Sequence, residues 1–152
     1  MSGLTARNQA GLSGLVAPKV DFQRFASAGS TVWTKPGDVS IIWIECYGAG
    51  GGGGGGGRGA SGRGAGGAGG GAMSWACFSA DALPATLDVV VGAGGAGASG
   101  ASPAGNDGVA GGHSEVHLSG THGDDAAGKV LLIAYGGGGG SKTDNGADGA
   151  AG

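Results

Sequence analysis

Six short strand-like runs, most of them apolar, are spaced along the chain. They are Ser30–Trp33, Val39–Tyr47, Ala72–Ala80, Leu87–Val91, His113–Ser119 and Val130–Tyr135. Val39–Tyr47 is apolar on both faces, which predicts a buried central strand. His113–Ser119 alternates, with Ser114, Val116 and Leu118 on one side, which predicts one buried and one solvated face. No run has the period of an amphipathic helix, so the pattern predicts an all-β fold.

Glycine blocks follow three of these runs directly. They are Gly48–Gly57, Gly92–Gly95 and Gly136–Gly140. Beyond the second block a period of three continues through the non-glycine residues Ala93, Ala96, Ser99 and Ser102, and at the end of the chain through Gly146, Gly149 and Gly152. Three residues per turn is the period of the polyproline-II helix, which makes no internal hydrogen bonds. The sequence therefore predicts extended helices that must find lateral partners for their backbone groups.

Packing must offset the conformational entropy lost when so many glycines are ordered. We expect a small β-sandwich-like scaffold carrying laterally packed polyglycine-II helices, and floppy loops are the alternative. Arg58–Ser61 is a natural place for the chain to reverse between Gly48–Gly57 and Gly62–Ala72. The glycines expected to pack are Gly50, Gly53, Gly56, Gly94, Gly95, Gly97, Gly137 and Gly139.

Residues 1–30 differ from the rest in having fewer glycines and no clear period. We divide the chain into an N-terminal arm, residues 1–30, and a glycine-rich domain, residues 31–152. Val20, Phe22 and Phe25 would form a small apolar anchor within the arm. A disordered tail is the other interpretation of this segment.

Composition and charge limit the classes of function that we expect for the chain. The 152 residues favour one domain, and 42 glycines raise the question of low complexity. Only 12% of residues are charged and the net charge is −3, so charge repulsion does not keep the chain open. The mild acidity gives no reason to expect nucleic acid as a partner. We expect no membrane insertion and no signal peptide, hence synthesis in a cytoplasm.

Candidate reactive groups are few. Cys46 and Cys77 predict buried free thiols, with a bridge between them as the alternative in an oxidising compartment. His113, Glu115 and His117 share one strand face and could converge on an ion, although a solvated polar face is the simpler interpretation. No residue set points to catalysis, so we expect no enzyme, no metal and no cofactor.

Three motifs in the glycine blocks mimic binding sites. Gly92–Gly97 matches the dinucleotide fingerprint and Gly136–Thr143 resembles a phosphate loop, but neither is followed by a helix-forming segment. Arg58 and Arg63 lie in arginine-glycine contexts that lack the interleaved aromatic residues of RNA-binding segments. We interpret all three as consequences of the glycine content.

The residues Trp33, Thr34, Pro36 and Gly37, followed by a strand and by Tyr47–Gly57, resemble the opening of the glycine-rich domain of bacteriophage tail fibres and related virion surface proteins. LDVVVGAGGAG and IAYGGGGG are two further steps of that pattern, so the resemblance covers about residues 30–152. Family domains continue past the third block, so we expect either a minimal version or the first part of a longer fibre.

The resemblance implies a structural, non-enzymatic virion protein. Its polyglycine-II helices would form a rigid sandwich, and its N-terminal arm would contact other virion proteins. A homo-oligomer, for which the trimer of many fibres is one candidate state, and a bacterial surface receptor as a candidate partner also follow from the resemblance. The alternative is a free glycine-rich binding protein such as an ice-binding polyproline-II bundle, for which the row from Ala93 to Ser102 is the supporting feature.

Overall fold

A computed structural model describes residues 20–57, 64–101, 105–118 and 130–142. The strands are β1 (Gly29–Thr34), β2 (Ile41–Tyr47), β3 (Met73–Ser79), β4 (Thr86–Val91), β5 (Ser114–Leu118) and β6 (Val130–Ala134). These six strands lie on the six strand-like runs, which confirms the predicted all-β class. One short 3-10 turn, Ala80–Ala82, follows β3. The described part of the chain contains no helix long and apolar enough to cross a bilayer.

The strands form two antiparallel sheets that give a small sandwich-like scaffold. One sheet has four strands in the order β1-β4-β5-β6, and the other has β2 and β3 alone. Glycine-rich connections join β2 to β3 and β4 to β5, and the two strands of each pair are hydrogen-bonded to each other. Each of these two connections therefore begins and ends at the scaffold.

The core between the sheets is small. Ile42 and Cys46 of β2 lie in one cluster with Leu87, Val116 and Ala134 of the four-stranded sheet. Leu87 is the largest side chain that is fully buried among the described residues. Since each large apolar side chain contributes only about 1.5–3 kcal/mol when buried, this core by itself offers limited stabilisation. Ordering the glycine segments therefore needs a second source of stabilisation.

Lys35 ties the two sheets together at one end. Its Nζ donates to the carbonyl oxygens of Ala80 (2.7 Å) and Leu83 (2.6 Å) in the turn after β3. Its backbone N–H donates to the carbonyl of Ala85 at 2.8 Å. Lys35 directly follows β1 of the four-stranded sheet, and the turn that it bonds follows β3 of the two-stranded sheet. These bonds therefore connect the two sheets at this end.

Candidate functional site

Five glycine-rich segments extend from the strand ends, and their backbones are bonded laterally. The segments are the first (48–57), second (64–72), third (92–101), fourth (105–113) and fifth (136–142). Among the described residues Gly29 has a φ of 131° and no other residue has a positive φ. The segments therefore share the negative φ of the left-handed polyproline-II helix.

Every third amide of the first segment bonds to the same neighbour. The amides that donate to the second segment are Gly48, Gly51 and Gly54, at 2.8–3.0 Å to Ala72, Gly69 and Gly66. Those that donate to the fourth segment are Ala49, Gly52 and Gly55, at 2.8–3.0 Å to Gly112, Val109 and Asn106. In both pairs the partner number falls as the donor number rises, so the segments run antiparallel. The period of three and the predicted reversal after the first segment are present.

The first segment also accepts hydrogen bonds from two parallel neighbours. Gly95 of the third segment donates to the carbonyl of Gly50, and Gly137 of the fifth donates to that of Ala49, each at 2.9 Å. The neighbours are bonded to one another in the order third, fourth, fifth, second. Around the first segment the bonds therefore alternate between accepting and donating. Hexagonal packing has six such directions, and four are used by described segments.

Steric fit explains why glycine is needed at some positions of the bundle. A Cβ on Gly52 would come within 3.0 Å of the backbone of Ala96, and a Cβ on Gly95 would overlap the carbonyl oxygen of Val109. Gly137 and Gly139 are equally closed, against Gly69 and the fourth segment. At these positions any side chain would force two helices apart.

Other glycines expected to pack have room for a side chain. A Cβ on Gly50 or Gly53 would meet its nearest atom only at 3.9 or 4.0 Å, the nearest atom to one on Gly97 would be at 3.8 Å, and one on Gly94 would meet nothing within 4 Å. Gly56 is half-buried. Gly50 and Gly53 contribute through their carbonyls, while their α-carbons face solvent between the second and third segments.

Two amides in each of the two phosphate-loop mimics donate hydrogen bonds within the protein. Within the GxGxxG match, Gly92 N–H donates to Ser114 Oγ and Gly95 N–H to the Gly50 carbonyl. In the block after β6, Gly137 and Gly140 donate to the first segment. A bound phosphate would need these same N–H groups, which already donate within the protein. The glycines of both motifs are therefore explained by packing. Arg58, Arg63 and Thr143 lie outside the described residues.

The outer face of the β2–β3 sheet is an exposed aromatic surface, which we call the aromatic face. It consists of Ile41, Trp43, Glu45, Tyr47, Met73, Trp75, Cys77 and Ser79. The indoles of Trp43 and Trp75 stack with centroids 4.7 Å apart and an interplanar angle of 10°, and both are more than half exposed. The expectation that β2 is buried on both faces is wrong, because its sheet has only two strands and a single covered side.

A carboxylate is held in the middle of this surface. Trp43 Nε1 donates to Glu45 Oε1 at 2.9 Å, and the Tyr47 hydroxyl donates to Glu45 Oε2 at 3.0 Å. The hydrogen bond to Glu45 and then its negative charge raise the pKa of Tyr47. This site was not predicted from the sequence. The signal for it was Glu45, which lies two residues from both Trp43 and Tyr47 and therefore indicates that the strand face they share is solvated.

The cysteines lie on opposite faces of the β2–β3 sheet. Cys46 is buried and Cys77 is exposed, and both are free thiols. The expectation that both are buried is wrong for Cys77, and the alternative of a bridge fails because the side chains point away from each other. Burial, followed by the charge of Glu115, raises the pKa of the Cys46 thiol.

Two polar residues of β5 form a compact cluster with His113, which directly precedes the strand. Glu115 lies between two imidazoles, 2.9 Å from His113 Nε2 and 2.9 Å from His117 Nε2. His117 is 5% exposed and pairs in register with the buried Asp88 of β4. The expected solvated face is therefore wrong at His117, because the register of β5 against β6 shifts between Val116 and His117 and breaks the strict alternation of faces there. No metal-binding group of three or more His, Cys, Asp or Glu side chains occurs in the described ranges.

The described part of the arm, residues 20–28, precedes β1 without regular secondary structure. Val20 and Phe22 are 87% and 84% exposed, and Phe25 is half-buried. Asp21 lines a shallow cleft with residues 36–39, just before β2. Ser30, placed in the arm by the predicted boundary, lies in β1.

A family model described as a glycine-rich domain matches residues 26–152. The chain belongs to this family. The match begins three residues before β1 and includes all six strands and all five glycine segments, so the glycine-rich domain is the scaffold and bundle together. No curated protein matches the chain.

Proposed function

We propose that this glycine-rich domain is a structural component of a virion, of the tail-fibre type. The observation that carries the proposal is the lateral bonding of five glycine segments with a period of three. It gives a stiff body from a chain with a small apolar core, which suits a part that projects from a particle. The tail-fibre-like order of turn, strand and glycine block around Trp33–Gly37 points the same way.

The bundle has physical properties that a projecting part needs. In the first segment two amides of every three donate to a neighbouring segment, so local opening must break bonds to several segments together. Each such bond adds about 0.5–1.5 kcal/mol net. A protease must first open the backbone that it cleaves, and a cross-linked bundle raises the free energy of that opening. Durability outside a cell follows from the backbone itself.

The N-terminal arm would hold the body to its neighbours. Val20 and Phe22 are apolar and almost fully exposed, so burying them against another virion protein would be favourable. Phe25 would link the arm to the body. We further propose that copies assemble into an oligomer, trimeric as in fibres, and that the projecting end contacts a bacterial surface receptor.

Particle association tests the proposal. The tagged full chain and a variant with Phe22→Ser and Val20→Ser are expressed in the source cells, and particles are purified on a density gradient. We expect the full chain to co-sediment with particles and the double variant to stay at the top of the gradient. Thermal melting of both proteins serves as the folding control. A full chain that never co-sediments would refute the virion assignment, and normal incorporation of the variant would refute the anchor.

An ice-binding bundle is the second candidate, and one observation favours it. Ala93, Ala96 and Ser99 form an exposed row with a period of three on the third segment. Their spacing is about 9.3 Å, three residues at about 3.1 Å each. Thermal hysteresis of the purified protein, lost on Ala96→Lys, would support this function. Absence of hysteresis at millimolar protein would remove it.

A further inference from the structure

The aromatic face lacks a partner among the described residues. Five of its eight residues are large apolar side chains that are more than half exposed, namely Ile41, Trp43, Tyr47, Met73 and Trp75. An exposed apolar cluster of this kind marks an interaction surface, and tryptophan and tyrosine are the residues that dominate binding at such surfaces. The face is therefore built to be covered.

The electrostatics of the aromatic face favour a positively charged partner. Glu45 is the one charged residue among the eight, and a carboxylate has room for more donors than the two that it accepts. Aromatic faces attract cations, arginine above all. A partner that is apolar, basic and free of carboxylates fits both properties of the face.

Residues 1–19 of the same chain have that chemistry. They contain Arg7 and Lys19, no aspartate or glutamate, and the apolar side chains Leu4, Leu12, Leu15 and Val16. The rest of the chain is net acidic, since the whole carries −3. The segment is thus distinguished from the body by both charge and large aliphatic content.

The described start of the arm lies near one end of β2. Asp21 shares its cleft with residues 36–39, so the arm joins the described body two residues before β2 begins. Nineteen extended residues reach about 60 Å, whereas β2 is about 23 Å long. Lys19 is next to Val20, too close to the cleft to reach Glu45 about 20 Å along the strand, while Arg7 can reach it.

We propose that the aromatic face is the docking surface for residues 1–19 of the same chain, with Arg7 at Glu45 and the leucines over the indoles. Covalent tethering favours this occupant, because a short linker gives an effective concentration in the millimolar range. Docking on the chain's own body is separate from the proposed virion anchoring, which uses Val20 and Phe22. Docking is measured on purified protein and anchoring on particles, so either proposal can fail without the other.

The exposed thiol of Cys77 reports on docking in the full chain, because it shares the face with Trp75. We expect Arg7→Glu to raise the rate of Cys77 alkylation about three- to tenfold, the change expected for a lost cation–π contact and ion pair. Lys19→Glu is the matched control and should leave the rate unchanged. Combining Arg7→Glu with Glu45→Lys should restore the slow rate.

Nuclear magnetic resonance gives an independent readout with an internal reference. Arg7→Glu should shift the indole N–H signals of Trp43 and Trp75 and leave that of Trp33, which packs on the core. Should apolar contacts dominate, Leu12→Ser with Leu15→Ser will give the same changes. If neither variant alters the thiol rate or the indole signals, the proposal is refuted. Cys77 protection that rises with protein concentration would instead place the segment on a second copy and overturn docking within one chain.

Discussion

Adding a methyl group at two neighbouring glycines of the first segment should have opposite effects. Gly52 is buried, and a Cβ there would intrude on the backbone of Ala96 in the third segment. Gly53 is exposed, and its Cβ would meet the nearest atom, Gly66 O, at 4.0 Å. Gly52→Ala and Gly53→Ala have identical composition and lie in the same run of glycines. Any difference between them reports only on lateral packing.

The magnitude follows from the bonds that the Gly52 methyl would disturb. To relieve the overlap, the third segment must move away from the first, which stretches the bonds from Gly95 to Gly50 and from Ala98 to Gly53, each 2.9 Å long. Losing both costs about 2 kcal/mol net. Overpacking adds about 1–3 kcal/mol. At Gly53 only the entropy gain from restricting the unfolded chain remains, about 0.4–1 kcal/mol in favour of the folded state.

Thermal unfolding followed by circular dichroism or calorimetry measures the difference. For a chain of this size about 3–5 kcal/mol lowers the melting temperature by roughly 10 °C or more. We expect that loss for Gly52→Ala and an equal or slightly higher melting temperature for Gly53→Ala. Two variants that both melt at the wild-type temperature would refute the packing order around the first segment. Two variants that both lose about 10 °C would instead show that the Gly53 side of the segment is also covered.

Three other substitutions or probes test separate parts of the structure. Alkylation at neutral pH should modify Cys77 at least tenfold faster than Cys46, which is buried and has a raised pKa, and mass spectrometry of the peptides will show the order. Lys35→Met should destabilise the fold by about 1–3 kcal/mol, because two carbonyls lose their donor, and urea unfolding will measure it. Ultraviolet titration should show that Glu45→Gln lowers the pKa of Tyr47. Since that pKa is raised in the folded state, the bond between Tyr47 and Glu45 contributes at neutral pH and is lost as the pH rises through it.

The sequence predicted the scaffold well because its signals are local. Most strands are apolar runs that end at a turn or at a glycine block, as β2 does at Tyr47, so their limits can be read from the sequence. The period of three likewise predicted lateral bonding. Its phase was not predictable, and Gly50 and Gly53 were expected to pack where Gly51 and Gly52 do. Which residue of three faces a neighbour depends on how the segments are arranged around one another, and that arrangement is set by strand pairing far along the chain.

The aromatic face was missed, and the burial of His117 was mispredicted, because both depend on how strands are arranged in the fold. An apolar strand that is covered on one face and one that is covered on both faces can have similar sequences, and only what packs on each face distinguishes them. Glu45 was the local evidence for an exposed face. His117 is the reverse case, since an alternating strand suggested a solvated residue, whereas the register of β5 shifts between Val116 and His117 and His117 is buried.

The number of closed rows in each segment accounts for much of the distribution of glycine. The fifth segment has two such rows, because Gly136 and Gly139 are closed by the fourth segment, and Gly137 and Gly140 by the second. The fourth segment is also bonded to three neighbours, but its one row closed by the first segment is Gly105, Gly108 and Gly111, and the outward Val109 is 57% exposed. Glycine at every third residue therefore indicates one closed row, and uninterrupted glycine indicates more than one. The first segment has two closed rows, yet nothing among its described contacts requires glycine at Gly50 and Gly53, so alanine substitutions at Gly52 and Gly53 distinguish steric need from glycine content.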